Sequence, residues 1–201
     1  MSRVLPILFN TEMVQAILDG RKTVTRRILK HDIRALLNSP YCKKHPEVRD
    51  KQIIEKLCKP PYEQGDVLYV RETWCKSPFT DNYIYRADGE RELFSQSYDS
   101  EIMDDTVWTW KPSIHMPKEA SRIFLKVKDV RVERLQDITD EGAYREGAGD
   151  KDVIYQTGAR VLEFARLWES TIKKSDIEKY GWNANPWVWV IEFERCEKPE
   201  E

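Results

Sequence analysis

Eight consecutive residues, Gly20 through Arg27, read GRKTVTRR and hold four cationic side chains and two threonine hydroxyls. Three kinds of chemistry fit that pattern. A lysine beside a threonine can activate the hydroxyl as a nucleophile, a basic stretch can cradle phosphates, and the same residues can form a solvated strand face. For the first, the hydroxyl needs a neighbouring base. Lysine serves as one only if its pKa falls toward neutrality from about 10.4. Burial and like charges both push it down, and Arg21, Arg26 and Arg27 supply the second. On an ideal strand Lys22 and Thr25 point to opposite faces, so they meet only if the segment turns or bulges.

Other residues offer chemistry less specifically. Arg71 and Glu72 in VRETW are a buried ion pair in the making, with Arg71 also a candidate oxyanion donor. Of seven tryptophans, Trp74, Trp110 and Trp182 are candidates to stack a base, and ordinary packing explains each as well. Arg122, just before a strand, suits a phosphate contact or a surface pair. His115 is a lone histidine better suited to hydrogen bonding than to acid–base work. Cys42 and His45 form a Cys-x-x-His pair, but no second close pair accompanies them. Neither a metal nor a cofactor is expected.

The elements that must position these residues sit within limits set by composition. At 201 residues one domain over 1–201 is expected. With 33 Lys+Arg against 35 Asp+Glu the net charge is -2, which argues against non-specific coating of nucleic acid. Any positive field is local: Arg21, Lys22, Arg26, Arg27, Lys30 and Arg34 meet one intervening acid, Asp32. No apolar run is long enough for a membrane span, the opening residues lack a secretory core, and the four cysteines are widely spaced. A cytoplasmic protein with reduced thiols and no membrane partner is expected.

Along the chain, residues 4–9 read as a strand and Asn10 or Thr11 as the cap of a helix that Gly20 ends. Residues 32–38 and 46–57 read as helices separated by a polar surface excursion, NSPYCKKHP. Strands follow at 67–74 and 82–89, then a long loop over about 90–122. Residues 123–135 alternate with a phase slip near Lys128–Asp129, which suggests a bulge or bend. Residues 137–147 form a short helix capped by Thr139 and closed by Gly147. Residues 159–169 form an amphipathic helix through Val161, Leu162, Phe164, Ala165 and Trp168. The closing WVWVIEFERC places Trp187, Trp189, Ile191 and Phe193 on one strand face. The sum is an α+β fold, expected as a small barrel or curled sheet with helices outside.

These strings resemble the ASCH domain of the PUA-like superfamily. The likeness runs through ILDGRKTVTRR, GDVLYVRETW, LQDITDEGA with its following REG, and WVWVIEFE. More specifically it resembles the larger, tryptophan-rich bacteriophage and prophage members, through YRADG, WKPSIHMPKEASRIFLKV and GWNANPWVWVIEFE. The resemblance implies a PUA-like small β-barrel with flanking helices, interrupted by an insertion at about 28–64 and the loop at about 90–122. It also implies RNA or a modified nucleoside as partner. One small enzyme class of the family hydrolyses N4-acetylcytidine with a lysine, a threonine and a glutamate. Its motif falls on Lys22 and Thr25, and its glutamate on Glu146. Another member is associated with cleavage of single-stranded RNA. The readings carried forward are nucleoside or RNA binding, amide hydrolysis by Lys22, Thr25 and Glu146, and a phage accessory role on a host or phage protein. Arg21, Arg26, Arg27, Arg71, Trp74, Trp110, Arg122 and Trp182 are the candidate binding residues.

Overall fold

Val4–Leu8 forms strand β1, and Asn10 ends it by accepting a hydrogen bond on its side chain from the Met13 amide. That cap starts helix α1, Thr11–Leu18, which buries Val14, Ala16 and Ile17. Gly20 then adopts φ 74°, a turn glycine enters without a Cβ penalty. The computed structural model describes residues 2–44, 48–77, 81–89, 109–149 and 156–199. The remaining strands are β2 (Val24–Ile28), β3 (Val67–Arg71), β4 (Trp74–Lys76), β5 (Tyr83–Tyr85), β6 (Phe124–Arg134) and β7 (Trp187–Cys196). The described helices after α1 are α2 (Ile33–Leu37), α3 (Pro40–Lys44), α4 (Asp50–Leu57), α5 (Asp140–Arg145), α6 (Ala159–Thr171) and α7 (Ile177–Tyr180).

Five strands share one sheet in the order β1-β3-β6-β7-β2, and β4 pairs with β5 separately. The α+β class holds. The expected barrel does not close: β1 and β2 end the strand order instead of pairing with each other. Three local readings also change. The polar excursion contains helix α3, which buries only Cys42. The strand read over 67–74 breaks at Glu72–Thr73 into β3 and β4. Leu162, assigned to the buried face of α6, is 63% exposed. Near the phase slip, β6 runs on unbroken with Lys128 and Asp129 both exposed. Most of the loop read over 90–122 lies outside the described residues; its 109–122 portion carries two single 3-10 turns.

By internal contacts the chain divides into two compact units. The first comprises residues 1–21, 65–126 and 194–201. In it β1 runs parallel to β3, with Val4 opposite Val67, and β3 runs antiparallel to β6, with Leu68 opposite Leu125. Ile7, Leu68, Val70 and Leu125 are buried there.

The second unit comprises residues 22–64 and 127–193. In it β2 runs antiparallel to β7, pairing Thr25 with Ile191, Arg26 with Val190 and Arg27 with Trp189. Side chains alternate along a strand and cross-strand partners share a face. Val24, Val188 and Val190 therefore lie on one side, packed with Leu135, Ala143, Phe164 and Trp168 of a single apolar cluster. The larger of these side chains, the valines, Leu135 and Phe164, each contribute about 1.5–3 kcal/mol on burial. That packing fixes the register of β2, and with it the direction of every polar residue on the strand. No described helix is long and apolar enough to cross a membrane.

Candidate functional site

Helix α5 begins where the Thr139 hydroxyl accepts from the Gly142 amide. It ends at Glu146, whose amide reaches back to Gly142 and Ala143. Gly147 leaves it at φ 95°. The chain therefore delivers the Glu146 side chain at a fixed point beside the start of β2, where the Thr23 amide donates to the Arg145 carbonyl. There Lys22 Nζ donates to Glu146 Oε2 at 2.8 Å, to the Glu146 carbonyl at 2.7 Å and to the Val24 carbonyl at 2.8 Å. Arg26 takes the other carboxylate oxygen, with Nη1 donating to Oε1 at 3.1 Å. The side chains of Lys22, Arg26 and Glu146 are all at most 5% exposed.

Burial holds Lys22 below the ordinary lysine value of 10.5. The charge and hydrogen bond of Glu146 oppose that shift, while Arg27 and Arg26 add to it. The direction is the one a lysine base requires. The bonding is that of an ammonium, since three acceptors surround the group's three N–H positions.

Thr25 is the third expected member, and its placement differs. It sits in regular pairing on β2, with no turn or bulge between Val24 and Ile28, and is 2% exposed. Alternation sends it to the side shared by Arg27, Ile191 and Trp189, opposite Val24 and Arg26. None of the hydrogen bonds described for Lys22 goes to its hydroxyl.

The lysine–glutamate pair opens a longer polar chain that the sequence did not disclose. Arg26 Nη2 donates to Glu133 at 3.2 Å, and Arg131 links Glu133 to Glu192, each at 2.6 Å. Arg145 donates to Glu192 at 3.1 Å and to the Thr23 hydroxyl at 3.1 Å. Burial pushes the Glu192 carboxyl up, but bonds from Arg145 and Arg131 outweigh it and the net direction is down. Glu133 and Glu192 lie on strands β6 and β7, where alternation with Val132 and Ile191 sets them away from the apolar faces read from the sequence, so nothing in the sequence signalled that they meet. The opposite side of β2 carries a cavity of about 450 Å³, lined in part by Arg27, Tyr62 and Trp189.

The other sequence candidates fall into place separately. Arg21 pairs with Asp19 at 3.2 Å. In the first unit, Arg71 donates from Nε to the Met116 carbonyl at 2.8 Å and from Nη2 to the Ile114 carbonyl, so it ties down the segment around His115. His115 itself is exposed. Arg122 forks onto Glu72 at 3.0 and 3.1 Å, reaches Asp88 at 2.7 Å, and lies 3.9 Å from the centre of the Tyr85 ring. Glu72 is pushed up by burial, and Arg122 opposes the shift. Trp74 is buried, edge-on to Tyr83 with centroids 5.5 Å apart, with Lys111 Nζ 5.0 Å from its ring centre. Trp110 is half-buried. Trp182, in the second unit, packs edge-on to Phe164 at 6.3 Å and lines a cavity of about 250 Å³ with Arg166 and Asn183. The Cys42 thiol donates to the Leu36 carbonyl, and His45 lies outside the described residues. No cluster of metal-ligating side chains occurs among the described residues.

Two solved structures resemble the chain. One is an ASCH domain from Lactobacillus crispatus, 12% identical, matched over 96% of this chain and 79% of that one with a TM-score of 0.40. The other is a protein of the DUF984 family from Enterococcus faecalis, 12% identical over 98% of this chain and 77% of that one, with a TM-score of 0.41. No family model matches the sequence, and no curated protein does.

Proposed function

We propose that this chain is an ASCH-type module that binds RNA or a nucleoside, with Lys22 and Glu146 at the centre of its chemistry. The observation that carries the reading is their buried 2.8 Å contact, reinforced by Arg26. These are two of the three positions on which the sequence resemblance puts the family's hydrolytic residues. A buried ion pair is a weak stabiliser for its cost of desolvation, and a lysine with a lowered pKa is a common feature of catalytic sites.

In the hydrolytic form, the Thr25 hydroxyl attacks the acyl carbonyl of an N-acylated cytidine as Lys22 takes its proton. Glu146 relays that proton from Lys22 to the departing amine, the C–N bond breaks, and water, its proton returning to the Thr25 oxygen through Lys22, then releases the acyl group as a carboxylic acid. This form needs Thr25 and Lys22 to come within hydrogen-bond reach when substrate binds. A second reading, binding without turnover, is favoured by the full set of acceptors around Lys22 and by the pairing of Thr25 within β2.

The test is to incubate the protein with N4-acetylcytidine and follow release of cytidine, alongside binding of single-stranded RNA across a salt series. Release that is lost in Thr25→Ala supports hydrolysis. RNA binding without release supports the second reading. With neither, the RNA and nucleoside assignment falls and a protein partner takes its place.

A further inference from the structure

The insertion at 28–64 does more than lengthen the chain. After α4, residues 59–62 return along the side of β2 that carries Arg27, where the cavity of about 450 Å³ lies. Its volume is within the usual range for small-molecule sites. Trp189, 5% exposed, lies deep in the lining. Arg27 and Tyr62 are half-buried, and the charge of Arg27 acts on the Tyr62 phenol. Lys30, His31 and Lys59 are exposed at the cavity. No carboxylate among the described residues lines it. In a chain of net charge -2, a cavity with two aromatic rings, three permanent cations and no acid is a local departure.

That combination selects a flat ring joined to an anion. Aromatic rings stack a base through its π-face, whatever its sequence identity, and the cations neutralise phosphate. The Arg27 guanidinium is placed between the two tasks, since it can stack as well as hydrogen-bond. We propose that the insertion builds a nucleotide subsite: a base seated against Tyr62 and Trp189, with its phosphate held by Arg27, Lys30 and Lys59. The inference rests on the RNA or nucleoside reading and adds to it a recognised unit, one nucleotide with its phosphate. It also adds a location, on the side of β2 opposite Arg26.

The test measures binding of a fluorescent single-stranded hexauridylate and of free uridine 5′-monophosphate to the full chain, to Tyr62→Ala and to Lys59→Gln. Tyr62→Ala is expected to weaken hexamer binding about tenfold through lost stacking. Lys59→Gln is expected to lower the slope of log affinity against log salt by about 0.7, the value for one single-strand phosphate contact. Because Lys59 is exposed, that variant carries the test even if Tyr62→Ala misfolds. Mononucleotide binding as tight as the hexamer identifies a free nucleotide as the ligand; much tighter hexamer binding identifies a strand. Hexamer binding unchanged in both variants overturns the subsite and leaves the broader reading standing. Absence of binding by the unaltered chain to either probe overturns both.

Discussion

Lys22 Nζ and the Glu146 carboxylate lie 2.8 Å apart across 124 residues of chain, with Arg26 on the remaining oxygen. The carboxylate is thus shared by two buried cations. Removing it leaves Lys22 with backbone carbonyls alone and Arg26 with Glu133 as its remaining carboxylate, whereas removing Lys22 leaves Glu146 still paired with Arg26. Glu146→Ala is therefore expected to cost about 3–5 kcal/mol and Lys22→Met less, as read by urea denaturation. Equal losses would mean that the two cations do not share the carboxylate.

Lys22 also makes a pH prediction. Its folded pKa lies below 10.5, so in the alkaline window beneath that value the folded chain holds fewer protons than the unfolded one. The contribution of Lys22 to stability therefore rises with pH there. If Lys22 is the base for Thr25, cytidine release rises through the same window and levels off below pH 10.5. A rate independent of pH across the window removes Lys22 from the proton transfer.

The Arg122 fork onto Glu72 is the corresponding pair in the first unit. Arg122→Ala leaves a carboxylate whose side chain is 1% exposed without that fork. It is expected to cost about 3–5 kcal/mol. Arg122→Lys keeps the charge but loses the bidentate geometry and is expected to recover only part. If Arg122→Ala instead weakens RNA binding and leaves stability intact, the arginine is a phosphate contact and not a brace.

Tyr85 gives the alkaline signature of that unit. Burial pushes its phenol up to about 12, against the pull of Arg122, and its hydroxyl donates to the Ala120 carbonyl at 2.7 Å. The folded state holds the proton longer than the unfolded one, so this stabilisation is complete below pH 10 and declines as pH rises toward 12. Tyr85→Phe is expected to flatten that part of the alkaline stability curve. Ultraviolet titration of the folded chain should lose one late-ionising phenol in the variant.

Gly181 separates α7 from Trp182 with no room for a side chain. A Cβ built there would stand 2.6 Å from the Ile177 carbonyl oxygen, a backbone atom that cannot swing aside. Gly181→Ala is expected to destabilise the chain by about 1–3 kcal/mol and to disturb Trp182 fluorescence. A variant as stable as the parent would show that α7 can shift freely.

Local physics made much of the fold legible. The Asn10 and Thr139 caps and the turns at Gly20 and Gly147 each depend on a few adjacent residues, and each is found where the pattern puts it; β7 is a strand as read, but both of its faces are buried over Val188–Ile191. Helix α3 escaped because a polar segment that buries only Cys42 has almost no apolar period to read. The break at Glu72–Thr73 escaped because Glu72 is drawn inward by Arg122, 50 residues away.

Residue types and spacing by themselves determined the chemistry on offer: a cationic stretch with threonines, a later glutamate at a helix end, and tryptophans placed among polar neighbours. Tertiary structure alone decided which of these meet. It put Lys22 and Arg26 on Glu146, sent Thr25 to the other side of β2, and drew Lys59 and Tyr62, which follow α4, to the cavity beside Arg27 and Trp189. The reason is physical. A strand's alternation is written in its sequence, but which side faces which partner is fixed only when the apolar cluster around Val24, Val188 and Val190 packs and locks the register.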